Sequence, residues 1–425
     1  MLNRTIAPPI KDAIEFNLEL KPYQKWVLDN GTEVYAIDAG AEDVLQVEWV
    51  FYAGNWFEEQ SLVAAATNYL LKNGTQSRNA FAINEHFEYY GAHLNRTAYN
   101  ETATLSLHCL SKHAAELFPV VAEIIETSVF PEEELQLYKQ NNKQRLAVSL
   151  KKSEFVANRL IDVYVYGIDH PYGKYSTEAS YDALQREALV AFYQQFYQQR
   201  RCLIFVAGKL PSNLQQLLNA QFGARKVAAA PALPTHVATP AAAKNYRVEN
   251  DKEGVQGSIR LARPFPNRHH SDFTKATILN NLFGGFFGSR LMNNIREDKG
   301  YTYGIYSYIQ NHIHDTAWLV STEAGRDVCE ATIAEVYKEM ERLRNEPVDK
   351  EELLLVKNYM LGSTLGDLDG PFHIIGRWKN IVLNGMKDDY FDKAVDAIKS
   401  VTAAELQELA NRYLLADEFY ELVVI

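Results

Sequence analysis

Cysteine is scarce in this chain. Its 425 residues include three, Cys109, Cys202 and Cys329, widely spaced and with no C-x-x-C among them. That excludes a disulfide framework and a zinc ribbon, and it fits a reducing compartment. Cations are short as well: Lys and Arg number 43 against 54 Asp and Glu, for a net charge of -11 and a pI near 5.6. Binding to phosphate backbones needs clustered cations, so neither nucleic acid nor an anionic membrane surface is an expected partner. No apolar run approaches the ~20 residues of a membrane helix. Met1 to Lys11 has neither the apolar core nor the small-residue cleavage site of a signal peptide. The expected location is therefore cytoplasmic. The serine-nucleophile pattern G-x-S-x-G is missing, as is the phosphate loop G-x-x-x-x-G-K. So are H-x-x-E-H and H-x-x-x-H, so no helix offers two histidines one turn apart to a metal.

What is present is globular composition, 47% hydrophobic and 23% charged, in a chain long enough for two domains. Residues 226–244 stand apart: VAAAPALPTHVATPAAA between two lysines, with no aromatic and no acidic side chain. Such a stretch buries little and is stiffened by its prolines, which predicts an interdomain linker. The segments on either side repeat. Glu134 and Lys139 have counterparts in Glu352 and Lys357, each 218 positions later. Leu189, Phe192 and Phe196 match Leu406, Leu409 and Tyr413 at nearly the same offset, and an apolar strand follows each set. A constant register over several elements predicts a duplicated unit.

Within the first unit, alternation predicts strands over 31–37 and 44–52 and a second pair over 94–97 and 102–110. Helical spacing predicts helices over 61–71, 82–90, 114–126 and 131–148, the first ending at Asn73-Gly74. Neighbouring strand pairs followed by grouped helices indicate α+β layers rather than a doubly wound sheet. The expected architecture is two homologous domains, 1–225 and 245–425, each a mainly antiparallel sheet with helices packed on one face.

The run Leu62-Val63-Ala64-Ala65-Ala66-Thr67-Asn68-Tyr69-Leu70-Leu71-Lys72-Asn73-Gly74-Thr75 resembles the helix that carries H-x-x-E-H in the insulinase, pitrilysin and mitochondrial processing peptidase family. In active relatives the two histidines hold zinc, and the glutamate acts as base on the metal-bound water. Fixing the register on Gly74-Thr75 puts Ala65 and Tyr69 at the histidine positions and Asn68 at the base. A third, glutamate ligand would come from the helix over 131–146, at Gln144 or Arg145. None of these residues can do its relative's work. The resemblance therefore implies that this chain binds no metal cofactor and hydrolyses no peptide by itself.

The second unit keeps more. Leu282-Phe283-Gly284-Gly285-Phe286-Phe287-Gly288-Ser289-Arg290-Leu291, then Arg296 and Tyr303, resembles the family's second signature. There an arginine and a tyrosine reach over the substrate, both able to donate hydrogen bonds to a developing oxyanion. Some bacterial members are heterodimers in which one subunit carries zinc and the other donates this pair. The resemblance thus implies a non-catalytic subunit with Arg296 and Tyr303 as the donated catalytic residues. Its partner would be a homologous H-x-x-E-H subunit holding the zinc, its substrate a peptide, and the chain produced alone could form a homodimer. The rival is a structural, assembly or peptide-binding protein of the same fold with no part in catalysis. Gly91 to Thr97 resembles the family's edge strand, which extended peptides join. His312, His314 and the pair His269-His270 are assigned to no site and are expected in a surface hairpin and a loop.

Overall fold

The computed structural model describes residues 11–425. The segment before Lys11, over which no signal peptide is expected, lies outside the described residues. The strands of the first half are β1 (Gln24–Val27), β2 (Glu33–Asp38), β3 (Val44–Phe51), β4 (His93–Ala98), β5 (Ala103–Leu110) and β6 (Leu203–Gly208). Its helices are α1 (Val63–Leu70), α2 (Ala80–Tyr89), α3 (Ala114–Thr127), α4 (Glu132–Ser149), α5 (Ser153–Tyr166), α6 (Glu178–Asp182), α7 (Arg186–Tyr193) and α8 (Leu214–Leu218). The second half has β7 (Asn245–Val248), β8 (Gln256–Phe265), β9 (Thr302–Asn311), β10 (Thr316–Gly325) and β11 (Tyr420–Val424). With them come α9 (Phe273–Asn280), α10 (Cys329–Asn345), α11 (Lys350–Gly366), α12 (Pro371–Leu383), α13 (Tyr390–Ser400) and α14 (Ala403–Tyr413).

Apart from β1, which adds a hairpin strand to the first, the two sheets share one connectivity. The first runs β1-β2-β6-β3-β5-β4 and the second β7-β11-β8-β10-β9. In each, one parallel pair, β2 with β6 and β7 with β11, joins an otherwise antiparallel sheet. The α+β architecture of two similar domains is as the sequence predicts. Because antiparallel neighbours need only tight turns whereas a parallel pair needs a long crossover, the last strand of each half returns, after its helices, to lie parallel to an early one: β6 beside β2 and β11 beside β7.

Each sheet is covered on both faces, which the sequence did not reveal. Val34, Ala36, Val47, Trp49 and Ile204 face the first half's own helices. Tyr35, Ile37, Val50 and Phe205, at the alternate positions, join the core of the second half. There α12 lies across β2 and β6. Its Lys379 Nζ pairs with the Glu48 carboxylate at 2.6 Å, and Trp378 Nε1 donates to the Lys21 carbonyl at 2.8 Å. Reciprocally, α5 lies across β8 and β11, where Arg260 Nε donates to Asn158 Oδ1 at 2.7 Å. Each half thus lends the other a helix, and the halves cannot separate without exposing two apolar sheet faces.

Residues 229–243 contain no helix or strand, yet they are tied down. Trp56 Nε1 donates to the Pro234 carbonyl at 2.9 Å, and the Thr239 and Ala241 amides donate to carbonyls of α5. No helix among the described residues is long and apolar enough to cross a membrane.

Candidate functional site

The α1 helix begins in a strained way. Leu62 sits before it at φ 74, in the left-handed region that branched side chains avoid. The Glu58 carboxylate holds this start by accepting from the amides of Leu62 and Ala64 at 3.1 and 3.0 Å. Burial raises the Glu58 pKa, but the paired amides favour its charged form.

Along this helix, Ala65 contributes a half-buried methyl to the wall of a cavity of about 710 Å³. Asn68 is buried and donates to the Tyr197 hydroxyl at 3.4 Å. A neutral amide locked in the core cannot take a proton from water. Tyr69 emerges into a stack: the Arg96 guanidinium of β4 lies 4.5 Å from its ring centroid, and the Tyr138 ring of α4 lies 5.0 Å away. Gln144 and Arg145 are exposed on α4. Tyr138, two turns earlier, is the α4 residue that meets Tyr69.

This donor set does not fit zinc. It offers a methyl, an amide and two phenols, and a largely buried arginine stands where a divalent cation would be repelled. Burial lowers the Arg96 pKa, yet an arginine remains charged at neutral pH. Among the described residues, no group of three or more His, Cys, Asp or Glu side chains is gathered as for a metal ion.

The other two predicted site residues lie far along the chain, on the second half. Arg296 sits in a π-helical turn, Met292–Asp298, that leads into β9. Its guanidinium pairs with Glu297 at 2.5 Å and lies 4.5 Å from the centroid of the Phe287 ring. Tyr303 is the second residue of β9, the edge strand of its sheet, and is 92% exposed. An ordinary packed strand tyrosine would not be so open. Phe287 and Tyr306 are exposed as well. β4, within the segment that resembles the family's peptide-binding edge strand, is the edge of the first sheet and among the described residues pairs with β5.

The histidines at the β9–β10 turn are not on a free surface hairpin. The turn is docked on the first half: Asn100 Nδ2 donates to His312 Nδ1 at 3.0 Å, and the Ile313 amide donates to the Glu101 carboxylate at 3.1 Å. His312 stacks on Tyr172 and His314 on Trp56, with centroids 3.9 and 4.3 Å apart. His170 and His236 complete the group around Trp56. The residues come from five separate segments, so no local pattern announced them; His269 and His270 remain exposed in their loop.

This junction depends on a close backbone approach. A Cβ at Gly54 would come 2.2 Å from the Asn100 carbonyl oxygen, whose turn also accepts from the Trp56 amide at 2.7 Å. Gly54→Ala is expected to destabilise the chain by about 1–3 kcal/mol, the usual range for overpacking. Urea unfolding measures it, and an unchanged midpoint would show that the turn shifts freely.

Two family models match the chain. One described as Insulinase (Peptidase family M16) matches residues 49–165, and one described as Peptidase M16 inactive domain matches residues 183–360. A Bacillus subtilis protein described as an uncharacterized zinc protease is 24% identical over 355 residues, 83% of this chain and 85% of that protein. Among solved structures, a peptidase M16 inactive domain from Pseudomonas fluorescens aligns with TM-score 0.83 at 22% identity, covering 95% of this chain and 98% of that one. A Helicobacter pylori protease aligns with TM-score 0.85 at 16% identity, over 95% and 99%.

Proposed function

The chain belongs to the insulinase family, peptidase family M16, and within it we propose that it is a non-catalytic subunit. It pairs with a homologue that carries H-x-x-E-H and zinc, and it lends Arg296 and Tyr303 to that partner's active site. The observation that carries this reading is the contrast between the halves. Helix α1 offers Ala65, Asn68 and Tyr69 under a guanidinium, while Tyr303 stands 92% exposed on an unpaired edge.

The chemistry follows from the side chains. In peptide hydrolysis, negative charge grows on the scissile carbonyl oxygen, and the partner's zinc polarises that carbonyl. A phenolic O–H and a guanidinium from the second subunit add hydrogen-bond donors on that oxygen, in a space closed to water. The exposed ring of Phe287, which lies against Arg296, gives the same surface apolar area for docking.

The purified chain alone is expected to hold less than stoichiometric zinc and to cleave no peptide in a chelator-sensitive way. Mixed with an H-x-x-E-H homologue, it is expected to form a complex whose peptidase activity the chelator abolishes. Stoichiometric zinc bound by this chain's own side chains, measured by elemental analysis after dialysis, would overturn the assignment.

A further inference from the structure

A second cavity, about 690 Å³, lies among α9, α11, α12 and α13. That size suits a small organic ligand or a few peptide residues. Its lining divides by chemistry. Phe391, Val395 and Ile398 of α13 give an apolar floor and are themselves buried. Two arginines, Arg268 from the loop between β8 and α9 and Arg377 of α12, and one carboxylate, Asp367, also line it and leave it one net positive charge.

The two arginines differ. Arg377 pairs with the Asp367 carboxylate. Arg268 has a neutral partner, the side-chain oxygen of Asn380, and its buried Nε makes no hydrogen bond among the described residues. The charged or titratable groups it feels are the Tyr390 phenol and the Arg377 guanidinium, and no carboxylate is among them. The Tyr390 hydroxyl, which meets Thr274, stands at the same wall. In a chain of net charge -11, a partly buried guanidinium with no carboxylate beside it is out of keeping with its surroundings. Such groups are normally paired, because an uncompensated buried charge is costly.

We propose that this cavity binds a carboxylate carried on an apolar body, as at the C-terminus of a short peptide. The planar fork of Arg268 suits a carboxylate through two parallel hydrogen bonds, and the floor of α13 takes an apolar side chain. The cavity shares Asn311, Gly376 and Asn380 with the larger cleft that Ala65 borders, so a peptide lying in the cleft has a direct route to it. The site is a property of this chain alone and does not depend on a catalytic partner.

The test is calorimetric titration of the purified chain with three probes: N-acetyl-Phe-Leu as free acid, the same dipeptide as its amide, and octanoate. Saturable binding of the free acid, at least tenfold tighter than the amide, is expected. Arg268→Gln is expected to weaken it about tenfold or more, in line with the loss of a bidentate charge-assisted pair. Asn380→Asp keeps the arginine but supplies an internal carboxylate, and it is expected to abolish binding even if Arg268→Gln folds poorly. Octanoate binding as tightly as the peptide acid would support the same carboxylate site and assign it to free apolar acids. Equal affinity for acid and amide, unchanged binding in either folded variant, or no saturable binding at millimolar concentration would overturn the proposal.

Discussion

Tyr303→Phe, in complex with a zinc-bearing homologue, is expected to lower kcat for peptide cleavage by about 10²–10³ while leaving the complex intact. The substitution removes one hydroxyl from a side chain that is 92% exposed in the free subunit, so nothing in this chain's packing depends on it. What it removes is a donor placed for charge that develops in the transition state, and losing one such donor typically costs that much in kcat. KM should move little, because the hydrogen bond matters most when the carbonyl oxygen becomes anionic. Arg296→Ala is expected to do at least equal harm, with an added loss of contact to Phe287, whose ring lies 4.5 Å away. Arg296→Lys separates the two contributions: it keeps the cation and loses the planar fork. Unchanged turnover in all three intact complexes would make the pair structural and favour a scaffold role.

The second large effect concerns acid. His312 is half-buried at the junction and its imidazole is pushed down to about 4, mainly by loss of solvent. In the unfolded chain it titrates at ~6.5. Below that value the unfolded state binds a proton that the folded state refuses. The stability from this residue is therefore full above about pH 6.5 and is lost as the pH falls toward 4. His170 and His314 are lowered for the same reason and act in the same direction. Asp162 of α5, also behind the second sheet, acts oppositely. Burial raises its carboxyl to about 7, so its protonated form suits the fold and stability is lost as the pH rises from about 4 through 7.

These opposing slopes partly cancel in the wild type and separate in variants. Between pH 7 and pH 4.5, His312→Asn is expected to gain about 2 kcal/mol relative to wild type, and Asp162→Asn to lose about 3 kcal/mol. Urea unfolding at both pH values measures both. Parallel pH profiles for the two variants would show that neither group titrates in a buried state.

Local periodicity carried much of this fold. The helix expected over 131–148 is α4, Glu132–Ser149, and its counterpart α11 begins at Lys350, 218 positions after Glu132. That register was legible because acidic first turns and apolar spacing are local properties. The exchange of α5 and α12 between halves was not, since an amphipathic helix shows that it has an apolar face but not which sheet receives it. The same limit explains the third-ligand position. Counting along α4 led to Gln144 and Arg145, but the face turned to α1 carries Tyr138. Arg96 belongs to a strand of the sequence-predicted sheet, and only the tertiary fold lays it over Tyr69. That Ala65, Asn68 and Tyr69 bring no imidazole and no carboxylate, by contrast, could be read directly.

The central claim is that this chain has no catalytic centre of its own and completes another's. The most direct measurement is a titration: an H-x-x-E-H homologue at fixed concentration, increasing amounts of this chain, and the initial rate of peptide cleavage. The rate is expected to rise from near background and level off at one chain per partner. A partner whose rate is the same with and without this chain, or cleavage by this chain alone that a chelator stops, would contradict it.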